Sequence, residues 1–340
     1  MTVHKGFWKT RNRFALVFLL LATVPPLRAQ FFSGIRLESG LSRFENNRLY
    51  LLNRARIRIG QKINRPELNF DWNLFYQPEI FDLNPSLSAQ YVNGRFSLQR
   101  PFKRLDFLLH FRSRYQHLQF YSDRYAWQSS DLTFNIRYHS TAPSLYWSAQ
   151  ACLWYRDAKN FDHQKLNASI FQAGADWHRS TVLLQLRLYY ERYTVIPTSR
   201  VISEKLRGDR SGISLHIEQN KNYIFSVNYR FLLHYHQNVA RTAIDHEMSL
   251  LLAFWLSPSW SLLFFGEYRK IGFVKEESQT TLWYRPINAT NRMYLKLSKD
   301  ISPKTEFYLK FGKLKEQLTR SDTNWQFGEI IVGLMKKLKF

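Results

Sequence analysis

From Leu68 onward the chain alternates apolar and polar residues in long runs, and the runs keep ending on a tyrosine. Leu68, Phe70, Trp72, Leu74 and Tyr76 form one row; Leu105, Phe107, Leu109, Phe111, Ser113 and Tyr115 form another. The pattern returns in 145–155, 182–190, 225–235 and 260–268. A period of two predicts strands with one face against an apolar medium. Asn69, Asp71, Asn73, Asp106, His110, Arg112, Arg114, Gln150, Arg187, Asn228 and Arg230 fill the alternate positions, so the opposite face meets water. An apolar face of about ten residues capped by an aromatic fits a tilted strand crossing a bilayer.

Alternation places strands at about 31–44, 48–62, 66–78, 84–99, 104–119, 128–140, 144–157, 164–178, 181–194, 209–219, 223–237, 244–256, 260–270, 281–298, 305–315 and 327–340. The expected fold is therefore all-β: a transmembrane antiparallel up-and-down β-barrel of about sixteen strands, within a range of about fourteen to eighteen. The range reflects 79–86, 120–128 and 271–291, which do not alternate cleanly. Connections after even strands are short, and most of those after odd strands are longer, notably 195–208 and 271–280; 45–47 breaks the rule. That asymmetry predicts short turns on the periplasmic side, with both termini there. Tyr76, Tyr115, Tyr155, Tyr190, Tyr235 and Tyr268 all fall near the ends of odd strands, where an amphipathic ring suits a membrane interface. Tyr138, Trp177, Trp260 and Phe340 would mark the other interface. The outward set moves by one residue near Asn93 and Phe171, which reads as two β-bulges.

The nearly apolar run from Met248 to Gly266 could be taken for a membrane helix, but Ser257, Pro258 and Ser259 stand at its centre. That triplet suits a tight turn, so the run reads as a hairpin. Residues 1–29 carry a basic start (Lys5, Lys9, Arg11, Arg13), an apolar centre from Phe14 to Val24 and a small residue at Ala29, and read as a signal peptide. Residues 30–340 then form a single barrel domain without an internal repeat or linker.

Composition agrees with this reading. A negative mean hydropathy argues against a bundle of membrane helices, but half of each barrel strand is wet. Cys152 is the only cysteine, so no intramolecular disulfide or thiolate metal site can form, and its place on a strand predicts a small inward filler. Removing the five basic residues of 1–29 from the formal charge of +23 leaves +18. A basic stripe can signal nucleic acid, but here the cations alternate with apolar residues along strands, which points them into a pore.

Alternation assigns Arg54, Arg56, Arg58, Arg95, Arg112, Arg114, Arg137, Arg156, Arg187, Arg210, Arg230, Arg269, Arg292, Lys296 and Lys310 to the inner face. The inward acids are Asp71, Asp106, Asp131, Asp176, Glu191, Glu218, Glu247, Glu267 and Glu306. Arg54, Arg56 and Arg58 form a ladder up one strand beside Asp71, and with Arg112 and Arg114 are the leading pore-lining residues; Arg137, Arg156, Arg187 and Arg230 extend the set. Fixed positive charge lowers the energy of an anion in a pore. The plain alternative is a lattice of ion pairs that only fills and stiffens the lumen. His234 and His236 share a strand face with His246 beyond the next loop, but no third ligand stands in register, so polar lining is the reading and no metal or other cofactor is expected. Arg200, Glu204, Lys205 and Arg207 belong to a long loop that reads as solvated surface.

The terminal Leu338, Lys339 and Phe340 resemble the closing signature of outer-membrane β-barrel proteins, a porin-like class, although Met335 stands where glycine is common and Lys336 would face lipid. The resemblance implies residence in the outer membrane of a Gram-negative-type bacterium, contact with its lipid, and a last strand read by the barrel-assembly machinery through Leu338 and Phe340. Porins, exporters and barrel enzymes share this class, so fold alone does not name the function. The leading expectation is a channel for passive diffusion of small hydrophilic, preferentially anionic solutes, either as a homo-oligomer or as a monomer. The second is an export barrel for an acidic polysaccharide or a multi-protein exporter. An enzyme is not expected, because the chain has no Gly-x-Ser-x-Gly elbow, no His-Glu-x-x-His and no phosphate loop.

Overall fold

A computed structural model describes residues 30–43, 49–121, 123–142, 144–159, 164–197, 205–236, 241–273, 291–317 and 324–339. They form sixteen strands: β1 (Gln30–Arg43), β2 (Leu49–Arg65), β3 (Leu68–Phe81), β4 (Asn84–Phe102), β5 (Leu105–Phe120), β6 (Asp123–His139), β7 (Leu145–Lys159), β8 (Gln164–Arg179), β9 (Val182–Pro197), β10 (Leu206–Asn220), β11 (Tyr223–His236), β12 (Arg241–Ser257), β13 (Trp260–Phe273), β14 (Asn291–Ser302), β15 (Thr305–Gln317) and β16 (Asn324–Lys339). Each strand pairs with its sequence neighbours, and β1 pairs antiparallel with β16, so the sheet closes into a barrel with no free edge. Closure is what a strand needs in hydrocarbon, where an unpaired backbone group has no water to satisfy it.

The wall has an oily outside. Leu184, Leu186 and Leu188 on β9 stand beside Ile217, Leu215 and Ile213 on β10, and all six point outward. Six tyrosines, Tyr76, Tyr115, Tyr155, Tyr190, Tyr235 and Tyr268, are exposed on this outer face at the loop end, and Tyr138, Trp177 and Trp260 at the turn end. The run from Met248 to Gly266 is the β12–β13 hairpin, turning at Pro258 and Ser259.

Two expectations need correction. Pairing is unbroken at Asn93, which faces Phe75 and Arg114, and at Phe171, which faces Ala151 and Tyr190, so neither position is a bulge. The register shifts lie elsewhere, at Ile80/Phe81, Trp255/Ser257 and Asp300/Ser302. What changes near Asn93 and Phe171 is the chemistry of the two faces. Beyond the tyrosines the outward positions become polar (Ser88 and Gln90 on β4; Lys165, Asn167 and Ser169 on β8), while the inward ones become apolar and buried (Leu87, Ala89, Leu166 and Ala168). The strands continue past the apolar band into water, and there the interior is the dry side.

The second correction concerns loop length. The β3–β4 connection is only Asp82 and Leu83, both in the left-handed region at φ 51° and 53°, as a two-residue turn joining twisted strands requires. Residues 120–127, expected as a loop, are largely strand, because β6 begins at Asp123. Residues 1–29, 44–48 (the expected 45–47 connection), 198–204 (Arg200 and Glu204 included), 274–290 (the bulk of the expected 271–280 loop) and Phe340 lie outside the described residues, as does the side chain of Leu338.

Two tyrosines lie over glycines on the inner face: Tyr308 over Gly333 and Tyr193 over Gly208, each pair directly opposite in register. A Cβ at Gly333 would overlap the Tyr308 ring, whose hydroxyl donates to Glu38 across the β1–β16 seam. We therefore expect Gly333→Val to destabilise the barrel by about 1–3 kcal/mol through overpacking, read as a lower melting temperature of the heat-modifiable gel band. A band as stable as wild type would show that the ring is free to move aside.

Candidate functional site: the charged bore

The register turns Arg54, Arg56 and Arg58 (β2), Asp71 (β3), Arg112 and Arg114 (β5), Arg137 (β6), Arg156 (β7), Arg187 (β9) and Arg230 (β11) toward the interior. Among the described residues it also turns inward, buried or half-buried, four acids that alternation did not assign there: Glu38, Glu79, Asp245 and Glu329, with Arg36 beside them. The pattern carried the signal for three of them, since Asp245 keeps phase with Glu247 while Glu38 and Glu329 alternate with the outward Leu37 and Ile330; Glu79 lay beyond the expected end of its strand.

These acids divide the arginines into two sets. Arg54 is held by Glu79 at 2.5 Å, Glu38 at 3.0 Å and Glu329 at 3.4 Å, which ties β2 to β3, β1 and β16. On the β9–β13 wall Arg210 reaches Glu191 at 3.0 Å, Asp245 at 2.9 Å and Glu247 at 2.6 Å, while Arg269 holds Asp245 and Arg230 holds Glu247 at 2.7 Å. Arg112 pairs with Asp131 at 2.8 Å, and Asp176 takes Arg187 at 3.2 Å and Arg137 at 3.7 Å. These residues form the neutralised lattice, which bridges several strands at once; Arg210 and Arg269 are buried in it, while Arg112, Arg137 and Arg230 keep part of their side chains exposed.

The other set sits on aromatic rings. Arg56 lies over Phe75 at 5.0 Å and Arg58 over Phe32 at 5.1 Å, and among the described residues neither has a carboxylate within ion-pair distance. Arg36 lies over Tyr308 at 5.6 Å and reaches Glu38 only at 4.0 Å. A ring face attracts a guanidinium through its quadrupole without cancelling its charge. Positive charge is therefore retained on the β1–β2 wall while the facing wall is balanced.

One chamber lies on the balanced side of the bore, with none of the described β1 or β2 residues in its lining. A cavity of about 380 Å³ is lined by Arg112, Asp131, Cys152, Tyr189, Arg230 and Glu267 among others, from strands β5 to β13. Cys152 faces it as a free thiol. The histidines separate: His234 is buried on the inner face against the Tyr193 hydroxyl, whereas His246 lies on the outer face against the Tyr229 hydroxyl at 2.8 Å. The expected polar lumen lining thus holds for His234 and not for His246, because Asp245 rather than His246 follows the inward phase of β12. Among the described residues no three His, Cys, Asp or Glu side chains are placed to hold a metal ion.

The closed sixteen-strand wall, its apolar skin between aromatic rows and its charged interior define the class: an outer-membrane β-barrel protein. No family model matches the chain, and no curated protein matches it. Among solved structures it is similar to CdiB from Acinetobacter baumannii (TM-score 0.48, 11% identity), covering 91% of this chain and 60% of that one. It is also similar to OccAB4 of Acinetobacter baumannii (0.44, 8%; 92% and 99% covered) and to the trimer form of OmpT, an outer membrane protein of Vibrio cholerae (0.49, 10%; 91% and 99% covered). The likeness is one of barrel architecture alone.

Proposed function

We propose that the barrel is a non-catalytic outer-membrane channel for small hydrophilic solutes that prefers anions. The observation carrying this reading is the unequal charge balance: Arg56 and Arg58 rest on Phe75 and Phe32 instead of carboxylates, so an entering anion meets a positive wall. Residues 1–29 serve as the exported leader, the turn end faces the periplasm with both termini, and the six outward tyrosines anchor the outer interface. Leu338 and Phe340 serve as the assembly signal.

The test is a reversal potential in a planar bilayer under a potassium chloride gradient. Wild type should reverse on the chloride side, and the double variant Arg56→Gln/Arg58→Gln should move toward zero by half or more. A cation-side reversal of wild type would remove the proposal.

One observation favours an export barrel instead. At the loop end the inward side chains Leu52, Leu87, Leu166, Tyr193 and Val195 are each under 6% exposed, which is dense packing for the mouth of an open pore. A channel closed in isolation should give no liposome swelling with neutral sugars, whereas a passive pore should swell at once.

A further inference from the structure

Resting on the channel reading, we infer that Arg36, Arg56 and Arg58 form a mid-bore seat for a compact, doubly charged oxyanion of the phosphate or sulfate class. Arg36 and Arg56 are directly opposite in the β1–β2 register. Like charges in that position repel across about 4.5–5.5 Å between Cβ atoms and weaken a sheet. Two other opposed cation pairs line this bore, Arg95 with Arg112 and Lys296 with Lys310, and in each both members reach a carboxylate: Asp71, Asp131, Glu306 and Glu329. The Arg36–Arg56 pair is the exception. Its nearest ion pair is Arg36 to Glu38 at 4.0 Å, and Glu38 is already engaged by Arg54 at 3.0 Å and by the Tyr308 hydroxyl.

The side chains around the pair hold the guanidinia without neutralising them. Gln77 accepts from Arg56 Nε at 2.5 Å, Met335 sulfur accepts from Arg36 at 3.4 Å, and the three rings Tyr308, Phe75 and Phe32 lie against guanidinium faces. Arg36 Nε is buried and has no hydrogen-bond partner among the described residues. A ring on the face leaves edge N–H groups uncovered: the two Nη groups of Arg56 and Nη1 of Arg36 are not used by these hydrogen bonds, and such groups match the oxygens of one oxyanion. The two heads rest apart, Arg36 toward Met335 and Tyr308 on the β16 side and Arg56 toward Gln77 and Phe75 on the β3 side, and a tetrahedral dianion between them would draw both forks inward, while Arg58, one pleat further along the same face at about 6–7 Å, adds charge. A single carboxylate would leave one fork unused. A dianion answers both.

The probe is inorganic phosphate at pH 8, with acetate as the singly charged control, each added at constant ionic strength to single channels carrying chloride. Half-block by phosphate is expected at a concentration at least tenfold below that of acetate, and Arg56→Gln should abolish the difference. Equal block by the two anions in wild type overturns the seat even if the variant fails to fold, as does discrimination that survives in Arg56→Gln. The chloride reversal potential of wild type is read in the same membranes and decides the channel reading separately. Should no current be seen at all, calorimetric titration of the detergent-purified barrel with phosphate decides: heat of binding beyond that of acetate supports the seat, and none overturns it.

Discussion

Replacing Arg210 by alanine is expected to destabilise the folded barrel by about 3–5 kcal/mol, the usual cost of leaving buried charges without their partner. The guanidinium is 2% exposed and its three partners, Glu191, Asp245 and Glu247, are 1%, 0% and 15% exposed, so little water reaches the site to replace it. Arg269 and Arg230 would remain to hold Asp245 and Glu247, but among the described residues Glu191 forms its ion pair with Arg210 alone. Tyr189 donates to Glu191 at 2.5 Å, which shares but does not cancel its charge. Urea unfolding in detergent micelles, followed by tryptophan fluorescence, measures the loss. The double change Arg210→Met with Glu191→Gln should recover most of it, because Arg269 then still holds Asp245, Arg230 still holds Glu247, and no uncompensated charge is buried. A loss below about 1 kcal/mol in the single variant would mean that the network is solvated, and would fit the exposed-pair range instead.

On the outer face the expected result depends on height. Leu186 stands between Leu184 and Leu188 in the apolar band, beside Ala175 and Leu215, and is 54% exposed. Arginine there should cost about 2–4 kcal/mol in lipid, the range for a cation at the midplane of a barrel wall. Arginine at Thr194, outward on the same strand but beyond Tyr190, should cost about 0–1 kcal/mol. The pair of variants, compared in the same bilayer by reversible urea unfolding, locates the membrane on the wall. Equal costs would mean that the apolar band is not where the hydrocarbon lies.

That contrast also explains how much of the wall is legible in the sequence. Around Leu68 to Tyr76 or Val182 to Tyr190 the two faces differ in chemistry over several pleats, so strand, face and approximate height follow from residues alone. Beyond the tyrosines the rule reverses. Ser169 and Asn167 point out and Ala168 and Leu166 point in, and an expectation of oil on the outside then implies a bulge that the pairing does not contain. The pattern is legible there too, but the medium has changed.

The bore was legible to the same depth. Every arginine expected inward is inward where it is described, because pleating is local and survives any arrangement of the sheet. The fate of each arginine was not legible. Arg54 and Arg56 are two residues apart on one strand and share the same inward face, yet Arg54 is locked by three carboxylates and Arg56 lies on a phenyl ring.

The order of residues alone thus settled the strands, their two faces and the basic character of the inner one, since each of these depends on neighbours one or two positions away. Only the closed cylinder decided which positive charges are spent in the wall and which remain in the bore. Arg54 meets Glu329 across 275 positions of sequence, through a seam that exists only once β1 has paired with β16. Ion pairing falls off over a few ångströms, so register and closure, not sequence distance, select the partners.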